Sequence, residues 1–342
     1  MRKLRAGRFY APGDFRVEDV PVPKIGENDI LVKVAGCGVC HSDLHIIQGE
    51  LPLPTTPITL GHEVGGYVEK VGKCVEGIDE GDKVLVYGGW GCGSCSLCIR
   101  GEEQLCNVLN WLGIGVDGGY AEYLRVPSKR YLVPLKKLDP ANSAPITDAG
   151  LTAYRAVKKA SEHLPMSETI VIIGVGGLGQ FGVQFAKMRG YKVVAIDISS
   201  KKLEIAEKLG ADLTLNLREG EISHVIDEFT NGRNAGAVID FVGTDETLRN
   251  AVAILGKCGK LVIVGIGGGQ VSLMWNPVLP SEAIYTTVYW GSIPELREVV
   301  ELAERGKIDI KVEKIGFDEL IPTFEKMKRG ELESRAVLCP DL

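Results

Sequence analysis

The 342-residue sequence predicts an α/β protein in two parts, an all-β unit followed by a doubly wound parallel sheet. Length is the first reason, because a single core stops growing at roughly 250–300 residues and a longer chain divides into domains. A run of short β-like segments is the second. "DILVKVAG", "EVGGYVEKVG", "DKVLVYG" and "YAEYLRVP" lie between residue 29 and about 135, separated by glycine and proline turns. The third is a change of period near 149–160, where "AGLTAYRAVKKA" reads as a helix. Beyond it "ETIVIIG", "YKVVAIDIS", "LTLNL", "AGAVIDFVG" and "GKLVIVGI" read as buried strands, with helical stretches such as "KKLEIAEKLGA" between most of them. After about 290 come a helix, "IPELREVVELAERGK", and a strand-helix-strand tail ending "SRAVLCP", which is expected to return to the first domain.

Composition narrows the partners. The formal charge of −6, with both signs interspersed, offers no basic footprint for nucleic acid or an anionic membrane, so small molecules are the expected partners. The opening "MRKLRAGRFY" has no apolar signal region, and runs such as "TIVIIGVGGLG" fall short of the roughly 18–20 apolar residues a membrane span needs. A cytoplasmic location is the expectation. The 43 glycines suit a chain of tight turns, some of which approach a ligand closely.

"VIIGVGGLGQFG" sets Gly174, Gly176 and Gly179 in G-x-G-x-x-G register, with Gly177 and Leu178 between, after a strand and at the head of a helix. Such glycines permit the turn and bring a pyrophosphate onto backbone N–H groups at the positive helix end. The next strand ends at Asp197, where a carboxylate accepts hydrogen bonds from the ribose hydroxyls of an adenosine. Its charge repels a 2'-phosphate, so NAD is favoured over NADP, although Lys201 and Lys202 just beyond can attract a phosphate.

"GCGSCSLCIRGEEQLC" carries Cys92, Cys95, Cys98 and Cys106 in C-x2-C-x2-C-x7-C spacing. In an intracellular chain this is the pattern of a zinc lobe rather than a disulfide framework, and four thiolates saturate the ion and leave no open position, which makes the site structural. A second group, "GCGVCHSDLH" and "LGHEVGG", gathers Cys40, His41, Asp43, His45, His62 and Glu63. A catalytic zinc takes about three protein ligands and keeps one position open, and Cys40 and His62 can supply two.

Together "CHSDLH", "GHE", the four-cysteine lobe, "GDKV", "GVGGLG" with Asp197, and the "SRAV" tail resemble the medium-chain zinc-dependent alcohol dehydrogenases over the whole chain. The resemblance implies a GroES-like β-barrel catalytic domain over 1–149, completed by 288–342, and a Rossmann NAD-binding domain over 150–287. It implies two zinc ions per chain. Cys40 and His62 are then ligands of the catalytic ion, with Glu63 an inner-sphere alternate or an outer partner. The family's third ligand is a cysteine just before the helix that leads to the nucleotide domain; here "APITDAGLTAYRAV" has Asp148 at that place. Exchanging a soft thiolate for a harder carboxylate keeps the charge but is expected to bind zinc less tightly.

The resemblance also implies that Ser42 hydrogen-bonds the substrate oxygen and that His45 relays its proton to water. Asp43 would fix the His62 tautomer. His41 and Arg335 would approach the pyrophosphate and Thr152 would lie against the nicotinamide, with surface or packing roles as the alternative for these three. Reversible hydride transfer between a primary or secondary alcohol and NAD is the implied reaction. A polyol or other specialised dehydrogenase, and a zinc- and nucleotide-binding protein without turnover, are the alternatives. Relatives of this length suggest a homotetramer, with "AIYTTVYWGS" as a pairing edge. Cys37, Cys74, Cys258 and Cys339 are expected as buried small apolar residues. Trp90 and Trp111, flanking the cysteine lobe, are candidates either for a substrate wall or for ordinary packing.

Overall fold

The computed structural model describes residues 3–108, 110–272 and 280–342. The chain divides into two compact units, Met1–Leu151 with Trp290–Leu342, and Thr152–Tyr289.

In the first unit, seven strands form a mostly antiparallel sheet. Its path runs Val312–Ile315, Arg335–Leu338, Ile30–Gly38, Glu63–Val71, Lys83–Val86 and Leu132–Pro134, and Tyr123–Val126 pairs with Ile30–Gly38. Arg335–Leu338, near the end of the chain, pairs antiparallel with the strand that leads to Cys40. A three-stranded sheet adds Lys3–Ala11, Asp14–Pro21 and Ile58–Thr59. The sequence reading places no strand before residue 29, yet Lys3–Ala11 buries Leu4, Ala6 and Phe9 while Lys3, Arg5 and Ala11 face outward. The helix Phe317–Lys328 lies between the last two strands, carries Pro322 in its interior, and buries Phe317, Leu320, Phe324 and Met327.

The second unit is a six-stranded, wholly parallel sheet in the order Leu213–Asn216, Lys192–Asp197, Thr169–Ile173, Ala235–Asp240, Leu255–Ile263, Ile284–Thr287. Numbered within the unit this is 3-2-1-4-5-6, the order of a doubly wound dinucleotide-binding sheet. Thr169–Ile173 and Ala235–Asp240 are buried along their whole length, which explains why they read as continuous apolar runs rather than alternating ones. Helices Gly179–Met188 and Ser200–Lys208 connect the first three strands, and Ile222–Phe229 and Asp245–Ala253 follow. Val171, Ile173, Val194, Ile196, Ile226, Val238 and Leu261 form the core of this unit. The strand order reverses between Thr169–Ile173 and Ala235–Asp240, where sheets of this kind bind their ligands. Among the described residues no helix is long and apolar enough to cross a membrane.

Candidate metal and nucleotide sites

Cys40 ends the turn after Ile30–Gly38 and precedes the helix His41–Gln48, which stops at Gly49 in the left-handed conformation, φ 80°. Asp43, in the first turn, accepts a hydrogen bond from the Cys40 N–H at 3.1 Å. It is fully buried, so its charge needs further partners. The Tyr120 hydroxyl donates to Oδ2 at 2.6 Å and the Gly61 N–H to Oδ1 at 3.4 Å. His62 Nδ1 stands 3.3 Å from Oδ1, close enough for charge attraction, but Nδ1 has no well-aligned acceptor. Burial depresses the His62 pKa, while the Asp43 carboxylate and the Cys40 sulfur outweigh it and hold the imidazole well above its ordinary value.

Asp148 follows the 3-10 turn Ala144–Thr147 and precedes the helix Ala149–Ala160. Its Oδ2 lies 3.8 Å from Cys40 Sγ and 3.4 Å from His62 Nε2. Around a tetrahedral zinc with bonds of about 2.3 Å to sulfur and about 2.0–2.2 Å to nitrogen or oxygen, ligand atoms stand roughly 3.6 Å (S···O) and 3.4 Å (N···O) apart. The three donors, one thiol, one imidazole and one carboxylate, thus fit a single zinc. Ser42 Oγ lies 3.7 Å from Cys40 Sγ, beside the same centre. His45, one turn further along the helix, contacts the Glu50 carboxylate through Nδ1. His41 is exposed, its ring centroid 6.4 Å from that of His45.

Glu63 has a ligand-capable oxygen in this cluster, yet both of its oxygens are engaged behind it. Oε1 accepts from the Ala149 N–H at 3.0 Å and from Arg335 Nη2, and Oε2 accepts from Arg335 Nε at 2.9 Å. Burial holds the Glu63 carboxyl above its ordinary range, and the Arg335 guanidinium offsets only part of that rise. Arg335, expected at the pyrophosphate, is itself buried and takes this carboxylate as its partner. The pairing requires Gly38, because a Cβ there would sit 1.8 Å from Glu63 Oε2.

The four-cysteine lobe brings its sulfurs together without disulfides. Separations are 3.9 Å for Cys92–Cys98, 3.5 Å for Cys95–Cys98 and 3.8 Å for Cys95–Cys106. The edge of a ZnS4 tetrahedron is roughly 3.8 Å. Backbone N–H groups of Cys95, Cys98, Cys92 and Val108 donate to the sulfurs of Cys92, Cys95 and Cys106. Contacts from Ser94 and from the Cys95 amide lower the Cys92 thiol to about 6, whereas burial pushes Cys98 up to about 12. Four thiolates in one pocket repel one another, and a bound cation is what lets all four ionise together.

In the second unit Gly174 adopts φ 85° at the end of Thr169–Ile173. A Cβ at Gly179 would lie 1.9 Å from the Gly174 carbonyl oxygen, while one at Gly176 would meet nothing, so that side of the loop is open to an approaching group. Asp197 closes the turn: Oδ2 accepts from the Val175 N–H at 2.7 Å and Oδ1 from the Ser199 N–H at 2.9 Å. Gly177 and Leu178 complete the loop, with Leu178 capping the helix Gly179–Met188. Lys202, half-buried, lies on the helix after Asp197, and Thr152 is buried in Ala149–Ala160.

Tyr120, Gly38, Thr147 and Trp290 pack around the candidate metal site, and no motif in the sequence marks them. Cys74 and Cys258 are exposed, contrary to expectation, whereas Cys37 and Cys339 are buried. Both exposed cysteines lie beside a carboxylate, Glu27 or Glu282, at the protein surface. Trp90 stacks on Tyr131, with ring centroids 5.5 Å apart.

The chain is similar to known proteins over nearly its whole length. Residues 26–137 match the family described as alcohol dehydrogenase GroES-like domain, and residues 177–305 the family described as zinc-binding dehydrogenase. The chain is 37% identical to an NAD-dependent alcohol dehydrogenase of Sulfolobus acidocaldarius, over 99% of both chains. It is 34% identical to a D-arabinose 1-dehydrogenase (NADP(+)) of Saccharolobus solfataricus, over 95% of this chain and 94% of that one. The crystal structure of the alcohol dehydrogenase from Aeropyrum pernix superposes with a TM-score of 0.93 at 39% identity, covering 98% of this chain and 100% of that one. With Cys40, His62 and Asp148 at tetrahedral spacing, a four-cysteine lobe and a 3-2-1-4-5-6 sheet, the chain belongs to the medium-chain zinc-dependent alcohol dehydrogenase family.

Proposed function

We propose that the protein catalyses reversible hydride transfer between a primary or secondary alcohol and NAD, with Cys40, His62 and Asp148 holding the catalytic zinc and Cys92, Cys95, Cys98 and Cys106 a structural one. The observation that carries this is the convergence of Cys40 Sγ and His62 Nε2 on Asp148 Oδ2, at 3.8 and 3.4 Å. When bound, zinc supplies Lewis acidity toward the substrate oxygen and NAD supplies the hydride acceptor. The chain's own residues do the rest. Ser42 Oγ, beside Cys40 Sγ, holds the substrate hydroxyl proton, and His45 passes it outward. Glu50, in contact with His45 Nδ1, orients that ring. Asp43, held by Tyr120 and Gly61, keeps Nε2 of His62 directed at the centre.

Gly174–Gly179 receives the pyrophosphate and Asp197 the ribose in this reading, with His41, Lys202 and Thr152 as further coenzyme contacts and Arg335 acting through Glu63. Both Asp197 oxygens already hold the loop, which sets a fixed negative charge where a 2'-phosphate would lie. We further propose a cytoplasmic homotetramer. The strand Ile284–Thr287, an edge of the six-stranded sheet among the described residues, with Ile284 and nearby Tyr289 exposed, supports the pairing of two copies within it. A second reading, a sugar or polyol dehydrogenase using NADP, rests on the D-arabinose 1-dehydrogenase relative.

Zinc-loaded protein mixed with NAD or NADP and a panel of primary, secondary and cyclic alcohols, polyols and aldoses, read by nicotinamide absorbance, separates these. Turnover with simple alcohols and NAD supports the first reading, and turnover confined to sugars or polyols the second. Silence across the whole panel defeats both.

A further inference from the structure

Trp290 begins the return of the chain to the first unit, and its backbone is unusual. It has φ 49°, in the left-handed region, where a bulky residue is a genuine outlier that persists only when its surroundings over-determine it. Three features hold it there. The indole N–H donates to the Thr147 carbonyl at 2.8 Å, one residue before Asp148. The ring meets the His62 imidazole edge-on, with centroids 5.7 Å apart at 74°, and Trp111 on another side, at 5.9 Å and 75°. Gly88 leaves the space the ring fills, since a Cβ there would lie 2.4 Å from Cζ2 of Trp290. The side chain is almost completely buried.

These contacts join two segments that no local element connects. Asp148 sits between a short 3-10 turn and a helix, at φ −133°, so the Thr147–Asp148 peptide is positioned by whatever holds its carbonyl. His62 precedes a strand, and Asp43 Oδ1 lies 3.3 Å from its other ring nitrogen without a well-aligned hydrogen bond. We infer that Trp290 is a positioning residue for the catalytic metal site: its N–H sets the place of the Asp148 carboxylate while its ring sets the face of His62. This rests on the reading of Cys40, His62 and Asp148 as metal ligands. A carboxylate is the hardest of the three donors and the one expected to hold zinc least strongly, so it gains most from being held in place.

The test is zinc affinity, measured on the full-length protein by competition with a chromogenic chelator, together with the visible spectrum of protein whose catalytic site carries Co2+. In Trp290→Phe, which keeps a ring and removes the donor, the four-cysteine zinc is expected to stay while the other zinc binds about 10- to 100-fold more weakly. The cobalt bands should shift. A purely packing role would lower the melting temperature and leave both affinity and spectrum as in the parent protein, and that result overturns the proposal. Should Trp290→Phe fail to fold, Gly88→Ala displaces the indole without altering its donor. The same weakening is expected there, and unchanged affinity refutes the idea. Parent protein that binds a single zinc per chain would instead refute the ligand assignment itself, before any variant is compared.

Discussion

Arg335 and Glu63, 272 positions apart in the chain, form a buried two-bonded ion pair beside the candidate metal site, with Nε 2.9 Å from Oε2. Glu63 Oε1 also accepts from the Ala149 N–H, the first amide after Asp148. The pair therefore braces the ligand loop from behind, on the carboxylate that a metal could otherwise recruit.

Breaking this pair from one side leaves an uncompensated buried charge. Arg335→Ala is expected to lower stability by about 3–5 kcal/mol, and Arg335→Ala with Glu63→Gln by clearly less, because no charge is then stranded. Denaturant unfolding of both variants measures this. A double variant as unstable as the single one would contradict it.

Asp148→Cys restores the thiolate that the family normally uses at this place. Zinc affinity at the catalytic site is expected to rise on the order of tenfold, since thiolate is the softer ligand. Asp148→Ala should lose that zinc alone. Metal content after dialysis against a chelator reports both, and a protein that keeps two zinc ions without Asp148 would remove this residue from the ligand set.

Cys98, buried among the other lobe sulfurs, is expected to act through stability. Cys98→Ser should give up one zinc and several degrees of melting temperature while the remaining folded protein keeps its turnover at moderate temperature. Unchanged stability with abolished turnover would exchange the roles of the two metal sites.

The His62 pKa gives the pH prediction. Burial opposes its protonation, but Asp43 and Cys40 raise it well above the ordinary imidazole value. In the metal-free fold the protonated ring therefore contributes stability that is fully present below the usual histidine range and disappears as pH rises through the raised value. Zinc needs the neutral ring, so its affinity runs the opposite way and falls by about tenfold per pH unit for each proton displaced, once the pH is below that value. Chelator competition between pH 6 and 9 should show zinc loss beginning nearer neutrality than for an isolated imidazole. Asp43→Asn should move the loss to lower pH, and a profile that Asp43→Asn leaves in place would undo the assignment.

Much of the molecule was legible from residue order alone, for one physical reason: the relevant chemistry is local. The G-x-G-x-x-G turn lies within Gly174–Gly179, and the zinc lobe within Cys92–Cys106, so spacing along the chain is nearly spacing in space. The central strands Thr169–Ile173 and Ala235–Asp240 are buried along their whole length and read as apolar runs. The N-terminal strand Lys3–Ala11 carries no clear signal because glycine and arginine interrupt its alternation, and its partners Asp14–Pro21 and Ile58–Thr59 carry no stronger pattern.

Tertiary structure alone decided the supports of the metal cluster. Tyr120 reaches Asp43 across 77 residues, Trp290 reaches Thr147 across 143, and Arg335 reaches Glu63 across 272. A hydrogen bond between such distant groups leaves no periodicity and no motif; it exists only because strand pairing and loop packing deliver both ends to one place. The sequence alone singled out candidate zinc donors and a candidate turn for the dinucleotide, while the folded chain determined which groups pack against those donors, since orientation is a property of packing and not of order.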